Sequence, residues 1–236
     1  MTHAIRRLLW PAVMTAAMLI VLIGLGTWQV QRLHWKQDVI ARIALAEANA
    51  PIPLTANPPP YAKVMTEGRL RADLTALVGA EVRETPTGPK MGAHLIVPLE
   101  RDHAPPLLVD RGWVPLAPTG PLDLPVEPVR LTGFVHPADE PGWFSAADNL
   151  TERHFYTLNP TAIAAALRLK AAEPFVLVVL GSKPAALWPE PAHHLPRPPN
   201  NHLFYVITWY GLAAALVVIF MVYARKGFKD DEPNSI

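Results

Sequence analysis

The chain has 236 residues, of which 50% are hydrophobic and only 17% charged, against roughly 25% charged in an ordinary soluble domain. A formal net charge of +1 leaves no electrostatic footprint for nucleic acid, and the lack of cysteine excludes a disulfide framework and a thiolate metal site. The length allows one or two domains.

Taken in order, residues 1–7 form a short basic N-terminus with Arg6 and Arg7. Residues 8–28 then read as a transmembrane helix. Leu8 to Gly26 holds no charge and is long enough for a hydrocarbon core of about 30 Å, with Pro11 near the start where a helix tolerates it. A cleaved signal peptide fits less well, because the apolar run exceeds a usual h-region of about 7–15 residues and small-x-small sites lie far beyond it. Residues 29–50 contain no Gly or Pro and mix Val30, Leu33, Val39, Ile40 and Ile43 with Lys and Arg, so the helix is expected to continue to just before Pro51. Residues 51–60 contain five prolines and read as a stiff linker.

Residues 61–182 read as an α+β, mainly antiparallel β, domain. The expected strands are Val64 to Arg71, Thr75 to Arg83, Ala93 to Glu100, Leu107 to Val114, Val129 to Val135 and Phe175 to Leu180. Gly88-Pro89, Gly120-Pro121 and Pro141-Gly142 are turn signals at hairpin-like spacing, which favours a sheet or small barrel. Asn159-Pro160 supplies an N-cap and a first-turn proline for a helix with Ile163, Ala164 and Leu167 on its apolar side. Residues 183–200 read as a second Pro-rich linker, 201–223 as a second transmembrane helix and 224–236 as a tail. The fold class is therefore two terminal membrane helices flanking an extracytoplasmic domain. Arg6 and Arg7 at one end, with Arg225, Lys226 and Lys229 at the other, place both termini in the cytoplasm and the central domain in a periplasm.

No Gly-x-Ser-x-Gly elbow, phosphate loop or His-Glu-x-x-His zinc helix is present, so the chain is not expected to be an enzyme. His193 and His194 are neighbours in an extended segment and would point to opposite sides. The pair Asp110-Arg111 interrupts an apolar strand ahead of Gly112 and Trp113. It reads either as a strand-end turn with Trp113 in the core, or as a partner-binding surface made of Arg111 and Trp113. Trp28, Gln29 and Arg32 close the first membrane segment. An interfacial belt explains Trp28 and Arg32 better than it explains Gln29. On the second segment His202, Tyr205, Val206, Trp209 and Ala213 share a helix face. An anchor needs none of these polar groups, and polar side chains near membrane depth point to a site. Both readings stand on these residues alone: a plain anchor, or a ligand site in which Gln29 and Arg32 approach His202.

Several stretches together resemble the surfeit-locus-one/Shy family of cytochrome oxidase assembly proteins. They are Leu25-Gly26-Thr27-Trp28-Gln29 with Arg32 and Lys36; Tyr61-x-x-Val64 with Gly68; Val97-Pro98-Leu99 leading to Leu108-Val109-Asp110-Arg111-Gly112-Trp113-Val114-Pro115; Trp143 with Asp148 and Asn149; and Asn201-His202-Leu203-x-Tyr205-x-x-Thr208-Trp209-Tyr210-Gly211-Leu212. The resemblance covers nearly the whole chain. It implies an inner-membrane assembly factor for a haem-copper terminal oxidase of the cytochrome c type, binding haem a and aiding its insertion into oxidase subunit I. Expected partners are that subunit, haem a synthesis and delivery proteins and membrane lipid, with no nucleic acid. The expected haem a site comprises His202 as iron ligand with Tyr205, Trp209, Gln29, Arg32 and Trp28. A neutral imidazole suits haem iron, and Arg32 suits a propionate. The alternative is a membrane-anchored scaffold that binds no haem and works through Arg111 and Trp113.

Overall fold

The structure is a computed structural model that describes residues 2–85, 87–117, 120–182 and 188–229. It divides into a helical unit built from residues 1–41 and 197–236, and a β unit of residues 42–196.

The helical unit contains α1 (Thr2–Ala48), except its last seven residues, and α3 (His202–Lys229). Both are long and apolar enough to cross a membrane. They also turn large apolar side chains outward all round: Trp10, Ile20, Ile207, Ile219 and Val222 are each more than 60% exposed, an arrangement that is stable only in an apolar solvent. Buried positions are few and recur at three- or four-residue spacing on α1 (Leu22, Gly26 and Gln29), with Ala213 on α3. At Gly26 the helices lie close together, because a Cβ there would be 2.9 Å from the Tyr210 ring. Thr27 Oγ1 donates its one proton to Ile23 O at 2.9 Å, so Tyr210 donates to Thr27 Oγ1 at 3.2 Å. With Gln29 against His202 and Gly26–Thr27 against Tyr210, the two helices run antiparallel.

The β unit is a small barrel with an added layer. Its strands are β1 (Ile52–Pro53), β2 (Lys63–Leu70), β3 (Ala76–Thr85), β4 (Gly88–Arg101), β5 (Ala104–Pro115), β6 (Val129–Pro137), β7 (His154–Phe155) and β8 (Phe175–Val179), with helix α2 (Pro160–Ala166) before β8. The order β1-β2-β6-β8-β5-β4-β3-β7 closes on itself through a β2–β4 pairing, making a ring of β2, β6, β8, β5 and β4. Most pairs are antiparallel; β1–β2, β3–β7 and β5–β8 are parallel.

Alternation along each strand divides the core in two. Leu95, Val97, Leu99, Leu107, Val109, Leu177 and Val179 fill the barrel interior. Their neighbours Ile96, Leu108 and Val176 face outward and are covered by Phe155, Ile163 and Leu167 from β7 and the α2 region. Both faces are thus buried over residues 95–99 of β4, 107–110 of β5 and 175–179 of β8, which is why β8 reads as a continuous apolar run and these stretches of β4 and β5 are rich in Val, Ile and Leu. Helix α2 begins as its sequence dictates: Asn159 Oδ1 accepts from Ala162 N at 3.1 Å, with Pro160 in the first turn.

Two segments expected as linkers are partly domain. In 51–60, Ile52–Pro53 pairs with β2, and Leu54 N donates to Met65 O at 2.9 Å while its side chain packs on the interior cluster. In 183–200, residues 188–196 lie on the barrel. Glu190 and Trp113 exchange two backbone hydrogen bonds of 2.8 and 2.9 Å, Gly181 N and Ala192 O lie 3.0 Å apart as do Ala192 N and Val179 O, and Leu195 is 1% exposed. Prolines here alternate with residues that keep an N–H, so Glu190 and Ala192 donate while Pro189 and Pro191 need not. Residues 183–187 of that expected linker and 230–236 of the expected tail lie outside the described residues. The last turn of α1, which belongs to the β unit, is held by Lys63, whose Nζ donates to Glu47 O at 3.2 Å and Asn49 O at 3.1 Å, meeting the carbonyls that a helix C-terminus leaves open.

Candidate functional site

Two groups of side chains carry charge or hydrogen-bonding capacity beyond what the fold requires. One lies between the helices, the other in the barrel wall.

Between the helices, His202 Nδ1 lies 2.7 Å from Gln29 Oε1. A carboxamide oxygen only accepts, so the imidazole donates from Nδ1. The neutral ring then carries its lone pair on Nε2, the nitrogen left for a ligand. Gln29 itself is 9% exposed, and the helix contact holds it in place. An acceptor fixed on one ring nitrogen is the arrangement that orients a metal-binding histidine.

The other expected site residues fall into separate places. Arg32 lies over two indoles of its own helix, 5.8 Å from the Trp28 ring centroid and 5.2 Å from that of Trp35. Both tryptophans are about half exposed, so they and Arg32 form an outward strip beside Gln29 rather than part of the His202 contact. Tyr205 is also half exposed and packs edge-on against Phe204, at 6.0 Å between ring centroids. Trp209 is half-buried, with its Nε1 shielded from solvent and unpartnered among the described residues. Asn200 Oδ1 is likewise buried without a hydrogen bond among the described residues. Gln29–His202 is therefore the only pair of expected site residues joined by a described hydrogen bond across the two helices.

In the barrel wall the Asp110-Arg111-Gly112 stretch is a bulge inside β5 and not a strand-end turn. Pairing passes from Ile96–Asp110 to His94–Trp113, so two residues of β5 oppose one of β4. Gly112 sits at φ +120 with the Glu190 backbone against its α-carbon, a position closed to any side chain. Asp110 Oδ1 accepts from Gly112 N at 2.8 Å, and Oδ2 accepts from His94 Nδ1 at 2.8 Å. Burial, the largest single influence on His94, disfavours its protonation. The hydrogen bond and charge of Asp110, with Glu81 at 3.7 Å, together outweigh it and hold the His94 pKa above its ordinary value.

Trp113 is fully buried, stacked edge-on against Trp188 at 5.4 Å, with its Nε1 donating to Glu81 O at 3.2 Å. It presents no surface to a partner, which corrects the partner-binding reading for this residue. Arg111 is also an internal group: it donates to Asp123 O at 3.1 Å with the Asp123 carboxylate at 3.7 Å, and burial lowers its pKa. The expectation of Trp113 in the core describes this residue better than a docking surface does.

A groove of about 370 Å³ opens beside this bulge, where His94, His136 and His194 meet the apolar Phe134, Leu158 and Leu195. Nδ1 of His136 donates to Pro137 O and Nδ1 of His194 to Leu195 O, each at 2.7 Å. His193 turns away to Gly181 O at 3.1 Å, as neighbours in an extended chain should. Among the described residues no three His, Asp or Glu side chains are placed to hold a metal ion. The ion pair of His94 with Asp110 was not legible in advance, because 16 residues separate the partners and only β4–β5 register brings them together.

Residues 16–214 match the model of the SURF1 family, a span that includes both Gln29 and His202 and the whole β unit between them. A SURF1-like protein of Rickettsia bellii is 29% identical over 213 residues, covering 87% of this chain and 87% of that protein. Surfeit locus protein 1 of Gallus gallus is 30% identical over 213 residues, covering 81% of this chain and 68% of its own length. The Homo sapiens protein of the same name is 29% identical over 220 residues, covering 81% and 70%. With a family match across most of its length, taking in the barrel and part of each apolar helix, this chain belongs to the SURF1 family.

Proposed function

We propose that this membrane-anchored protein is an assembly factor for a haem-copper terminal oxidase, holding haem a at His202 for insertion into oxidase subunit I. The observation that carries the reading is the 2.7 Å contact from His202 Nδ1 to Gln29 Oε1, which leaves Nε2 as the coordinating nitrogen. The residues present fit such a cargo. The imidazole held at Nδ1 supplies one iron ligand, and the half-buried Trp209 of the same helix has its Nε1 unpartnered among the described residues, whereas Trp28, Arg32 and Tyr205 would have to turn toward His202 to give a haem apolar surface and a guanidinium for a propionate. One protein ligand holds a haem more loosely than two, which suits a carrier.

The basic residues Arg6 and Arg7, with Arg225, Lys226 and Lys229, support an inner-membrane orientation with both termini cytoplasmic and the β unit periplasmic. The scaffold alternative, in which Arg111 and Trp113 hold the nascent subunit, loses its main support because Trp113 is buried.

The test is the absorption spectrum and haem extract of full-length protein purified from cells that make haem a. A Soret band with haem a in the extract is expected, lost or strongly shifted in His202→Ala. An unchanged spectrum in that variant would remove His202 as the ligand.

A further inference from the structure

Trp143 and Phe144, in the segment joining β6 to β7, are the most exposed large apolar residues among the described residues of the β unit, at 101% and 100% of full exposure. Isolated surface apolar residues are ordinary, but two adjacent aromatics wholly in water are not. Nor is the segment a loose excursion. Its base is tied at both ends: Asp139 N donates to Leu158 O at 3.0 Å, Asn149 and His154 exchange backbone bonds of 2.8 and 2.9 Å, and Asp148 Oδ1 accepts from Tyr156 N at 2.8 Å. Its tip is a closed turn in which Ser145 N donates to Gly142 O at 3.1 Å and Gly142 N donates to Ser145 Oγ at 2.8 Å. Trp143 and Phe144 are the two central residues of that turn, the positions that point away from the bonds closing it.

The charged residues nearest the turn in sequence, Glu140 before it and Asp148 after it, are acidic. From Pro137 to Glu152 the ionisable residues are Asp139, Glu140, Asp148 and Glu152, with no Lys, Arg or His. Asp139, Glu140 and Asp148 are exposed. An acidic collar opposes approach to an anionic bilayer surface, where basic residues would be expected around inserted aromatics. It favours a polypeptide surface of the opposite charge.

We propose that the Gly142–Ser145 turn is a docking finger that places Trp143 and Phe144 in an apolar pocket of a different protein, with Lys or Arg at the pocket rim facing Asp139 and Glu140. Tryptophan in a fully desolvated pocket is the side chain that most often dominates an interface, and a pre-formed turn keeps the ordering cost low. The finger uses none of the residues assigned to haem, so it stands or falls independently of haem binding.

The experiment places p-benzoylphenylalanine at position 144 of the full-length chain in its native membrane and maps the photo-adducts. The expected result is a discrete adduct with one other polypeptide, at a peptide that combines apolar residues with Lys or Arg. The Asp139→Lys/Glu140→Lys double variant should reduce that adduct at least fivefold. Adducts with lipid alone, with a second copy of this chain, with a polypeptide but indifferent to the charge reversal, or with nothing would each overturn the proposal. Trp143→Ser/Phe144→Ser is the companion variant. Its unfolding transition and haem spectrum should match the parent, because the two rings are fully exposed; a marked loss of stability would show that the turn serves the fold instead.

Discussion

Gln29 on α1 and His202 at the start of α3 meet through a 2.7 Å hydrogen bond across 173 positions of sequence. The bond decides which imidazole nitrogen is open, so Gln29 acts on any ligand through His202. Gln29→Ala removes the acceptor and lets the ring rotate and change tautomer. Haem affinity is expected to fall about 10- to 100-fold while some Soret absorbance persists, unlike His202→Ala. Gln29→Glu keeps an acceptor and should retain most binding, with a shifted band. Titration of the purified variants with haem, followed at the Soret band, separates these outcomes.

Close approach of the helices depends on Gly26, where a Cβ would lie 2.9 Å from the Tyr210 ring. Gly26→Leu should push α1 and α3 apart and break Thr27–Tyr210 and Gln29–His202 together. The chain has no cysteine, so a Gln29→Cys/His202→Cys pair reports on the contact without background. Oxidation should give a high yield of internal disulfide in the parent and several-fold less once Gly26→Leu is added. Equal yields would mean that the glycine does not set the helix spacing.

The pairing of His94 with Asp110 makes stability depend on pH in a definite direction. His94 has a folded pKa above its ordinary 6.5, so its contribution is complete below about 6.5 and is lost as pH rises through the raised value. Glu81 at 3.7 Å acts in the same sense as Asp110, and Arg83 acts against both. Thermal unfolding in detergent should show the β unit losing stability from mildly acidic to mildly alkaline pH. Asp110→Asn keeps an acceptor for Gly112 N but removes the charge. It should cost about 1–3 kcal/mol at acidic pH and flatten the dependence. A slope that survives Asp110→Asn would assign it to another group.

Two tryptophans are expected to behave oppositely. Trp113 is fully buried against Trp188, so Trp113→Ala should cost about 3–5 kcal/mol and leave the β unit sensitive to protease. Trp143→Ala should shift the unfolding midpoint negligibly, because the ring is wholly in solvent. Denaturant titration of both variants measures the contrast directly.

The sequence alone determined whatever depends on local periodicity and on side-chain type along one strand or helix. The uncharged stretches beginning at Leu8 and Leu203 marked two membrane-length helices, since spanning a hydrocarbon core requires about 20 apolar residues in succession. The Val-, Ile- and Leu-rich stretch Ala93 to Glu100 and the continuous apolar run Phe175 to Leu180 marked strands, and Asn159-Pro160 marked a helix start. The tertiary structure decided what depends on register and closure. Nothing local shows that β2 pairs with both β6 and β4 to close a barrel, or that Trp113 points inward where Trp143 points out. Residues 188–196 look like a spacer because proline suppresses strand patterning, yet their remaining N–H groups bind the sheet. His202 was identifiable as a polar residue at the mouth of an apolar helix. Its partner was settled only when Gly26 let two helices, almost the whole chain apart, come close enough for Gln29 to fix the ring.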